Sequence, residues 1–191
     1  MRNRTAFPRL RAALTAAALV VGVPIATAAE RAIDKDVVVA ATPEQVWNAW
    51  TTREGITSFF APDAKVDARV DGAFEIYINP LAEPGLKGAD GMRFMALQPP
   101  RMLSFTWNAP PSLPEVRQQR TFVVVRLQPV GEKETRVTLH HTGWGDGDEW
   151  DKAYGYFDRA WGNVLQNLKK RFESGPIDWT AWLERLRTQA K

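Results

Sequence analysis

Apolar and polar positions alternate with a period of two through the middle of the chain, a pattern typical of strands that bury one face. A short β-branched strand is predicted near the beginning, and six more strands follow one another after residue 65. Turn-forming Gly, Pro and Asp residues separate these six strands, which indicates antiparallel neighbours. The seven predicted strands are 36–41, 66–70, 74–78, 92–98, 102–107, 120–129 and 135–142.

Two short helices are predicted between the first and second strands. Thr42 is suited to be the N-cap of the first helix, with Pro43 in its first turn and Gln45 placed to complete a capping box. Thr52 is suited to cap the second helix, whose apolar side chains would face the core. The segment 61–63, Ala-Pro-Asp, ends this helix because proline cannot continue it.

Near the end of the chain the apolar spacing changes to three and four residues, which predicts a long amphipathic helix, Asp148–Ser174. Asp148 is interpreted as its N-cap, and Gly175 followed by Pro176 as its end. At about 1.5 Å per residue this helix would span about 40 Å, enough to lie across a whole sheet. Its apolar face consists of Tyr154, Phe157, Trp161, Leu165, Leu168 and Phe172.

This order of elements predicts an α+β fold in which a seven-stranded curved antiparallel sheet wraps around the long C-terminal helix, with two short helices after the first strand. One face of such a sheet would be open to water unless the long helix covered it. Packing of this kind commonly leaves a cavity between the sheet and the helix. We expect one domain over 30–175 and an amphipathic helical extension over 176–191, whose helix runs from Trp179 to Leu186.

The first 29 residues are typical of an export signal rather than of a folded domain. Four arginines precede an alanine-rich apolar stretch, 12–23, and small residues at 26–29 form a cleavage site before Glu30. The apolar stretch is shorter than the roughly 20 residues needed to cross a bilayer, which favours a cleaved signal peptide over a membrane anchor. We therefore expect a periplasmic or secreted protein with no membrane span after cleavage.

The net charge changes once this signal is set aside. The whole chain carries a formal charge of +3, and its four N-terminal arginines are the only charged residues before Glu30. Subtracting their four charges from +3 leaves −1 for the remainder, so the basic composition gives no reason to predict nucleic-acid binding. The chain has no cysteine, so the domain must be held together by its apolar core rather than by disulfides.

Few residues suggest catalysis or metal binding. The two histidines, His140 and His141, are adjacent on a predicted strand and so point to opposite faces, which excludes joint ligation of one metal ion. The acidic loop 146–151 resembles a calcium-binding loop, but Trp150 and Phe157 occupy positions that require oxygen ligands. We therefore predict no metal, no cofactor and no catalytic residue. His141 is interpreted as a hydrogen-bonded core residue or as a polar group that orients a ligand.

Aromatic side chains are the main positive signal for a binding site. They fall on the predicted sheet and on the long helix, where any one of them alone could simply be part of the core. As a set they suit a flat or hydrocarbon-like ligand, with Tyr and Trp tips supplying a few polar contacts. The predicted cavity residues are Tyr77, Phe94, Phe105, Trp107, His141, Tyr154, Phe157 and Trp161.

Six short motifs follow one another along the chain: ATPEQVW at 41–47, FFAP at 59–62, VDGAF at 70–74, PPRMLSFTW at 99–107, HTGW at 141–144 and WGNVL at 161–165. Taken in this order, they resemble the helix-grip superfamily that includes START domains and birch-pollen allergens, also known as SRPBCC. Within it they look most like the branch named for the activator of the heat-shock protein 90 ATPase. The resemblance covers about 32–174, nearly the whole domain.

The resemblance implies a helix-grip fold and leaves three functions open. The first is a non-enzymatic binder or carrier of a small hydrophobic molecule. The second is a protein-interaction or stress-related module with a protein partner, as in ATPase activators. The export signal argues against that partner being a chaperone, because an exported protein meets neither a cytosolic chaperone nor ATP. The third is a cyclase- or hydrolase-like enzyme, for which His141 is the general base that the sequence suggests.

Overall fold

The computed structural model of the chain describes residues 30–189. The predicted signal peptide, 1–29, lies outside these residues, as do the last two residues of the extension. The chain is α+β, with a large antiparallel sheet and a long C-terminal helix, which confirms the predicted fold class. No helix of the described part is long and apolar enough to cross a membrane. The elements are β1 (Ile33–Val39), α1 (Pro43–Thr51), α2 (Arg53–Thr57), β2 (Asp63–Val66), β3 (Phe74–Tyr77), β4 (Gly88–Ala89), β5 (Phe94–Gln98), β6 (Met102–Trp107), α3 (Pro114–Arg117), β7 (Thr121–Gly131), β8 (Glu134–Thr142), α4 (Asp148–Ser174) and α5 (Thr180–Gln189).

The strands form two antiparallel sheets rather than the single seven-stranded sheet that the sequence pattern predicts. A five-stranded sheet has the order β1-β8-β7-β6-β5, and a three-stranded sheet has the order β2-β3-β4. An isolated bridge joins Ala73, next to β3, to Arg93, next to β5. One strand, β4, was not predicted: it has only two residues and lies between the predicted strands 74–78 and 92–98. Two residues are too few to show an alternation, which is why the pattern did not reveal it.

The second strand lies almost entirely before the predicted strand 66–70, with which it shares only Val66. β2 stops at Val66, whereas the apolar pattern continues to Val70. Between β2 and β3 the chain turns back on itself, and the Asp67 amide donates to the Ala73 carbonyl at 2.8 Å. Asp71 takes a positive φ of 61° within this turn. Val70 is consequently 62% exposed instead of facing the core.

Side-chain caps define both short helices, as predicted. Thr42 Oγ1 accepts from the Gln45 amide at 3.4 Å, and Gln45 Oε1 accepts from the Thr42 amide at 2.9 Å. These two bonds form the expected capping box at the start of α1. At the start of α2, Thr52 Oγ1 accepts from the Gly55 amide at 2.9 Å. The caps place the apolar faces of α1 and α2 against the core.

The predicted N-cap of the long helix is wrong by one residue. Gly147, with a φ of 106°, is the N-cap of α4, and Asp148 is already helical. Acidic side chains in the first turn still suit the positive end of the helix dipole. The helix ends at Gly175, as predicted. Its buried residues are Trp150, Ala153, Phe157, Trp161, Leu165 and Leu168.

Polar contacts tie α4 to the edge of the five-stranded sheet. Lys35 on β1 pairs with Asp158 at 2.8 Å. The Tyr154 hydroxyl donates to the Ala32 carbonyl at 2.8 Å, just before the same strand. These contacts accompany the apolar packing of α4 and fix its position against β1.

The C-terminal extension packs on the surface of the domain. Trp179 Nε1 donates to the Thr57 carbonyl at 2.7 Å, and Trp182 Nε1 donates to the Ile78 carbonyl at 2.9 Å. No residue of α5 is buried among those that the structure describes. The extension is held by these two indole groups, at the ends of α2 and β3, and by the Ile177 amide, which donates to the Ser58 carbonyl at 2.9 Å.

Candidate functional site

A cavity of about 370 Å³ lies between α4 and the ends of strands β3 and β6. Phe60, in the segment after α2, strand β4 and the loops that follow β3 and β6 complete its wall. A volume of this size is typical of sites for small molecules. The lining residues are Phe60, Ile78, Asn79, Leu86, Lys87, Gly88, Ala89, Trp107, Asn108, Pro110, Pro111, Tyr156, Phe157, Ala160, Trp161 and Val164.

The wall of the cavity is mostly apolar. Two tryptophans, two phenylalanines and one tyrosine supply aromatic surface, and most of the other lining residues are aliphatic, glycine or proline. Lys87 is the only charged lining residue in the described part of the chain, and its Nζ lies 5.2 Å from the centre of the Tyr77 ring. Such a surface favours a hydrocarbon or ring-containing ligand, because an unpaired charge would be costly to bury there.

Ring–ring contacts fix the aromatic part of the wall. The ring centres of Trp107 and Trp161 are 5.2 Å apart. Phe60 lies 5.7 Å from the Trp161 ring and 6.0 Å from the Trp107 ring. Aromatic pairs at these separations stabilise one another beyond their buried area. The three rings therefore form a preorganised surface on one side of the cavity.

A buried chain of hydrogen bonds stands behind the two tryptophans. Trp161 Nε1 donates to His141 Nδ1 at 2.8 Å, and His141 Nε2 lies 2.7 Å from Thr121 Oγ1. An indole nitrogen can only donate, so His141 Nδ1 must accept and Nε2 must carry the proton. His141 Nε2 then donates to Thr121 Oγ1, whose hydroxyl donates to the Trp107 carbonyl at 3.3 Å. One histidine tautomer thus links both tryptophans of the wall.

His141 is held in its neutral form. The residue is fully buried, and burial together with the nearby His140 lowers the pKa of its imidazole to about 3. Both ring nitrogens already have protein partners, so neither is free to accept a proton from a substrate. This geometry corresponds to the core-histidine interpretation, and it leaves His141 without a direct role toward a ligand.

Arg117, at the end of α3, joins two loops of the cavity wall. It is 8% exposed, and its guanidinium donates to the Gly85 carbonyl at 2.7 Å and the Gly88 carbonyl at 2.8 Å. It also donates to the Ala109 carbonyl and pairs with Asp90 at 3.2 Å. Burial lowers the pKa of Arg117, and the Asp90 carboxylate opposes that shift. One side chain thereby connects the β3–β4 loop to the β6–α3 loop.

The eight predicted cavity residues divide between the wall and the core. Two of them, Phe94 and Phe105, are buried in the core instead of lining the cavity. Their ring centres lie 4.7 Å and 4.3 Å from that of Phe74, so strand-to-strand packing uses the surface that the prediction assigned to a ligand. The predicted residues that do line the cavity are Trp107, Phe157 and Trp161.

The other three predicted residues also lie elsewhere, which corrects the sequence interpretation. The Tyr77 hydroxyl donates to Glu75 at 3.1 Å, and burial and the Glu75 carboxylate raise the pKa of Tyr77 to about 12. The Tyr154 hydroxyl is bound to the Ala32 carbonyl. His141 lies behind the wall rather than in it. Their polar tips are engaged by protein groups, so they do not supply the polar contacts expected of them.

Much of the wall was missed by sequence reasoning. Tyr156, Ala160 and Val164 line the cavity from α4 at spacings of four residues, beside the predicted face of that helix. The spacing of these three residues is visible in the sequence, but nothing in it distinguishes them from residues at the edge of the apolar face. In the structure, Tyr156 is 42% exposed. The remaining wall residues after β3 and β6 have no periodicity, and sequence patterns give no signal for Leu86, Lys87, Gly88, Ala89, Asn108, Pro110 and Pro111.

The histidines do not form a metal site in the described residues. His140 Nδ1 lies 2.8 Å from Asp34 Oδ1 on the exposed face of β8, whereas His141 points into the core. The two side chains therefore lie on opposite faces, as their adjacency predicts. Within residues 30–189, no three His, Asp or Glu side chains come together in a way that could hold a metal ion.

Comparison with known protein families identifies a relationship. The family described as "Activator of Hsp90 ATPase homolog 1-like protein" matches residues 40–173. The match begins at the end of β1 and ends within α4, so the C-terminal extension lies beyond it. A search of the curated proteins gives no match.

Solved structures share the fold at low sequence identity. A Mesorhizobium loti protein is 21% identical over 77% of this chain and 100% of its own, with a TM-score of 0.60. The Aha1 dimer from Colwellia psychrerythraea is 20% identical over 76% of this chain and 98% of its own, with a TM-score of 0.60. An HSP90 activator from Plasmodium falciparum is 18% identical over 76% and 97%, with a TM-score of 0.55. At these identities the likeness shows the fold alone.

Proposed function

This chain belongs to the family of Activator of Hsp90 ATPase homolog 1-like proteins, a branch of the SRPBCC superfamily, and from that premise we propose that it binds a small hydrophobic molecule between its sheets and α4. The observation that carries the proposal is the apolar cavity of about 370 Å³ with five aromatic residues in its wall. Burial of an apolar ligand against such a surface supplies about 25 cal/mol per Å² of apolar area.

The rigidity of the wall supports a binding role. Trp107 and Trp161 are held by ring contacts and by the hydrogen-bond chain through His141. Arg117 holds the loops on the other side. A site that is ordered before the ligand arrives loses less conformational entropy on binding, which favours affinity.

We propose that the protein is a binder or carrier and not an enzyme. In the described part of the chain, no carboxylate or imidazole lines the cavity. Its titratable lining groups are Lys87 and Tyr156, and partial burial raises the pKa of the Tyr156 phenol, which keeps it protonated at neutral pH. Turnover of a bound ring compound by the purified protein would contradict this part of the proposal.

Filling the cavity tests the proposed function. Ala160 lines the cavity from α4, so Ala160→Phe places a ring inside it. We expect this variant to bind a neutral fluorescent probe, N-phenylnaphthylamine, at least about tenfold more weakly than the unaltered protein. Fluorescence titration of both proteins measures the difference.

The control places the same ring on the solvent side of the same helix. Asn163 is exposed on α4, so Asn163→Phe adds a phenylalanine without entering the cavity. We expect this variant to bind the probe as the unaltered protein does. Equal probe binding by Ala160→Phe, in a protein that remains folded by circular dichroism, would show that the cavity is not the binding site.

We also propose that the domain acts in the periplasm or outside the cell, as the N-terminal pattern of arginines, apolar residues and small residues indicates. Mass spectrometry of the protein from a periplasmic fraction tests this directly. We expect a chain that begins at or close to Glu30. An uncleaved chain found in the cytosolic fraction alone would contradict export.

A protein-interaction module is the second candidate function, and the exposed face of the five-stranded sheet favours it. Arg126, Arg136 and His140 lie there beside Asp34, on the opposite side of the sheet from the core. This charged surface could be recognised by a partner of complementary charge. In an affinity purification, a specific partner lost on Arg126→Glu with Arg136→Glu would support this function, and recovery of no specific partner would argue against it.

A further inference from the structure

Two polar atoms belonging to cavity-wall residues lack hydrogen-bond partners. Trp107 Nε1 and Asn108 Oδ1 are shielded from solvent and have no partner among the described residues. Both residues line the cavity, and they are 5% and 6% exposed. A buried polar atom without a partner is costly, so most such atoms in folded proteins are satisfied. Their occurrence on two adjacent wall residues requires an explanation.

The second buried indole of this wall, by contrast, has a partner. Trp161 Nε1, the second indole of the wall, donates to His141 Nδ1 at 2.8 Å. Asn108 makes one long hydrogen bond, from Nδ2 to the Asp90 carbonyl at 3.5 Å. The buried hydrogen-bonding groups of the wall that lack a partner therefore lie at the end of β6. They are one indole donor and one amide acceptor.

We propose that the ligand is an uncharged ring hydrocarbon that carries a hydroxyl or carbonyl oxygen, recognised by Trp107 and Asn108. Both atoms are closed to solvent, so a rotation of each side chain must turn the indole N–H toward the ligand oxygen and the Asn108 amide oxygen toward a ligand hydroxyl. The apolar remainder of the molecule packs against the rings of the wall. This inference rests on the proposed function, since it names the class of molecule that the same cavity takes.

Size and charge narrow the class of ligand. A cavity of about 150 Å³ accepts benzene, so a cavity of about 370 Å³ has room for two or three fused rings. An anionic ligand is disfavoured because Lys87 is the only charged lining residue that the structure describes. The Lys87 ammonium lies over the Tyr77 ring, which is not itself part of the wall. A carboxylate would thus enter an apolar site without a buried cationic partner.

Binding of three matched probes to the full chain tests the inference. The three probes share one ring system. Naphthalene carries no polar group, naphthol carries a neutral hydroxyl, and naphthoate carries a charged carboxylate. By calorimetry we expect naphthol to bind about tenfold more tightly than naphthalene, and naphthoate to bind most weakly. Equal affinities for naphthol and naphthalene would overturn the inference and leave the proposed function standing. If none of the three binds, both are overturned.

Substitution of the recognition residues locates the effect. Trp107→Phe keeps an aromatic ring but removes the donor, so we expect it to bind naphthalene and to lose the preference for naphthol. Asn108→Leu provides a second test from the acceptor side, and we expect it to reduce the same preference. A full preference for naphthol in either folded variant would overturn the assignment of that residue.

Trp50 provides a matched control for Trp107. Its Nε1 is also buried and without a partner, but Trp50 lies in the core and does not line the cavity. Trp50→Phe removes the same group from the protein at a distance from the ligand. We expect it to retain the tenfold preference for naphthol, and loss of the preference in Trp50→Phe would show that removal of any buried indole has this effect.

Discussion

At the scale of single residues, His141 connects the stability of the domain to the geometry of the cavity wall. Its imidazole accepts from Trp161 and donates to Thr121, which in turn binds the Trp107 carbonyl. These bonds require the neutral form with the proton on Nε2. Protonation would add a hydrogen to Nδ1, where it would face the Trp161 N–H, and would leave an unpaired charge buried.

The titration of His141 should make the stability of the protein depend on pH. Its folded pKa of about 3 lies below the ordinary value of 6.5, so in that interval the unfolded chain binds a proton that the folded chain does not. The free energy of unfolding therefore falls as the pH is lowered, by about 1.4 kcal/mol per pH unit from this residue. His141→Gln removes this contribution. Between pH 6.5 and about pH 4.5 the stability advantage of the unaltered protein over His141→Gln should shrink by about 2 kcal/mol, because the unfolded histidine is already half protonated at pH 6.5.

Urea unfolding of the two proteins in the same buffers measures this change. Carboxylates titrate over part of the same range, but they are common to both proteins and cancel in the difference. A difference in unfolding free energy that stays constant between the two pH values would mean that folding does not shift the titration of His141.

Arg117 is expected to control the order of the loops around the cavity. Arg117→Lys retains the charge but replaces a planar group with five N–H donors by an ammonium with three. We expect a loss of about 1–3 kcal/mol in unfolding free energy and faster hydrogen exchange at the amides of 85–91. Arg120→Lys makes the same change at an exposed position nearby and should cost less than about 0.5 kcal/mol. Unchanged exchange at 85–91 in Arg117→Lys would contradict the role assigned to this side chain.

These two residues also differ in what sequence could reveal about them. His141 alternates with Val137 and Leu139 on a predicted strand, so its burial follows from the pattern. Arg117 lies in a proline-rich connection, where a charged residue is normally exposed. Its burial depends on four acceptors, most of them from a loop about 30 residues earlier in the chain. No local pattern contains that information.

At the scale of elements, caps and periodicity placed α1, α2, α4 and α5 but gave no sign of the four-residue helix α3. The Thr42 and Thr52 caps are made by side chains, so residue type and spacing are enough to predict them. The start of α4 was missed by one residue because Gly147 caps it through its backbone conformation rather than through a side chain. The backbone also explains why β2 ends at Val66. Backbone hydrogen bonds close the turn near Asp71 before the apolar alternation stops.

The C-terminal extension should open independently of the domain. Trp179 and Trp182 donate to the carbonyls of Thr57 and Ile78, and no residue of α5 is buried. Trp179→Phe with Trp182→Phe removes both bonds while keeping the rings. At about 1 kcal/mol for each bond, local opening should become about 30-fold more frequent. Limited proteolysis of the segment after Gly175 measures this rate.

The single variants provide an internal control for this experiment. Each should give about half of the free-energy change, which corresponds to about fivefold faster cleavage. The stability of the remainder, measured by urea unfolding, should change little. Cleavage of the double variant at the rate of the unaltered protein would show that the two indole bonds do not hold the extension.

At the scale of the whole molecule, the fold class and a cavity beside the long helix could be predicted from the sequence, but most of the residues that line the cavity could not. The order of strand, two helices, strands and long helix leaves few arrangements that cover the apolar face of a sheet. The cavity, by contrast, arises where the packing of Phe94 and Phe105 against Phe74 stops and the loops after β3 and β6 begin. Which alternate aromatic residues fill the core and which line the wall depends on how far each strand extends.

Native mass spectrometry tests the central claim, that the cavity holds a small hydrophobic molecule, most directly. The protein should be purified gently from the cells that produce it, without organic solvent, beside the Ala160→Phe variant. We expect the unaltered protein to carry an added mass that disappears on denaturation, and Ala160→Phe to lack it. A bare protein mass for both, under conditions that preserve the fold, would contradict the account and direct attention to the exposed face of the five-stranded sheet.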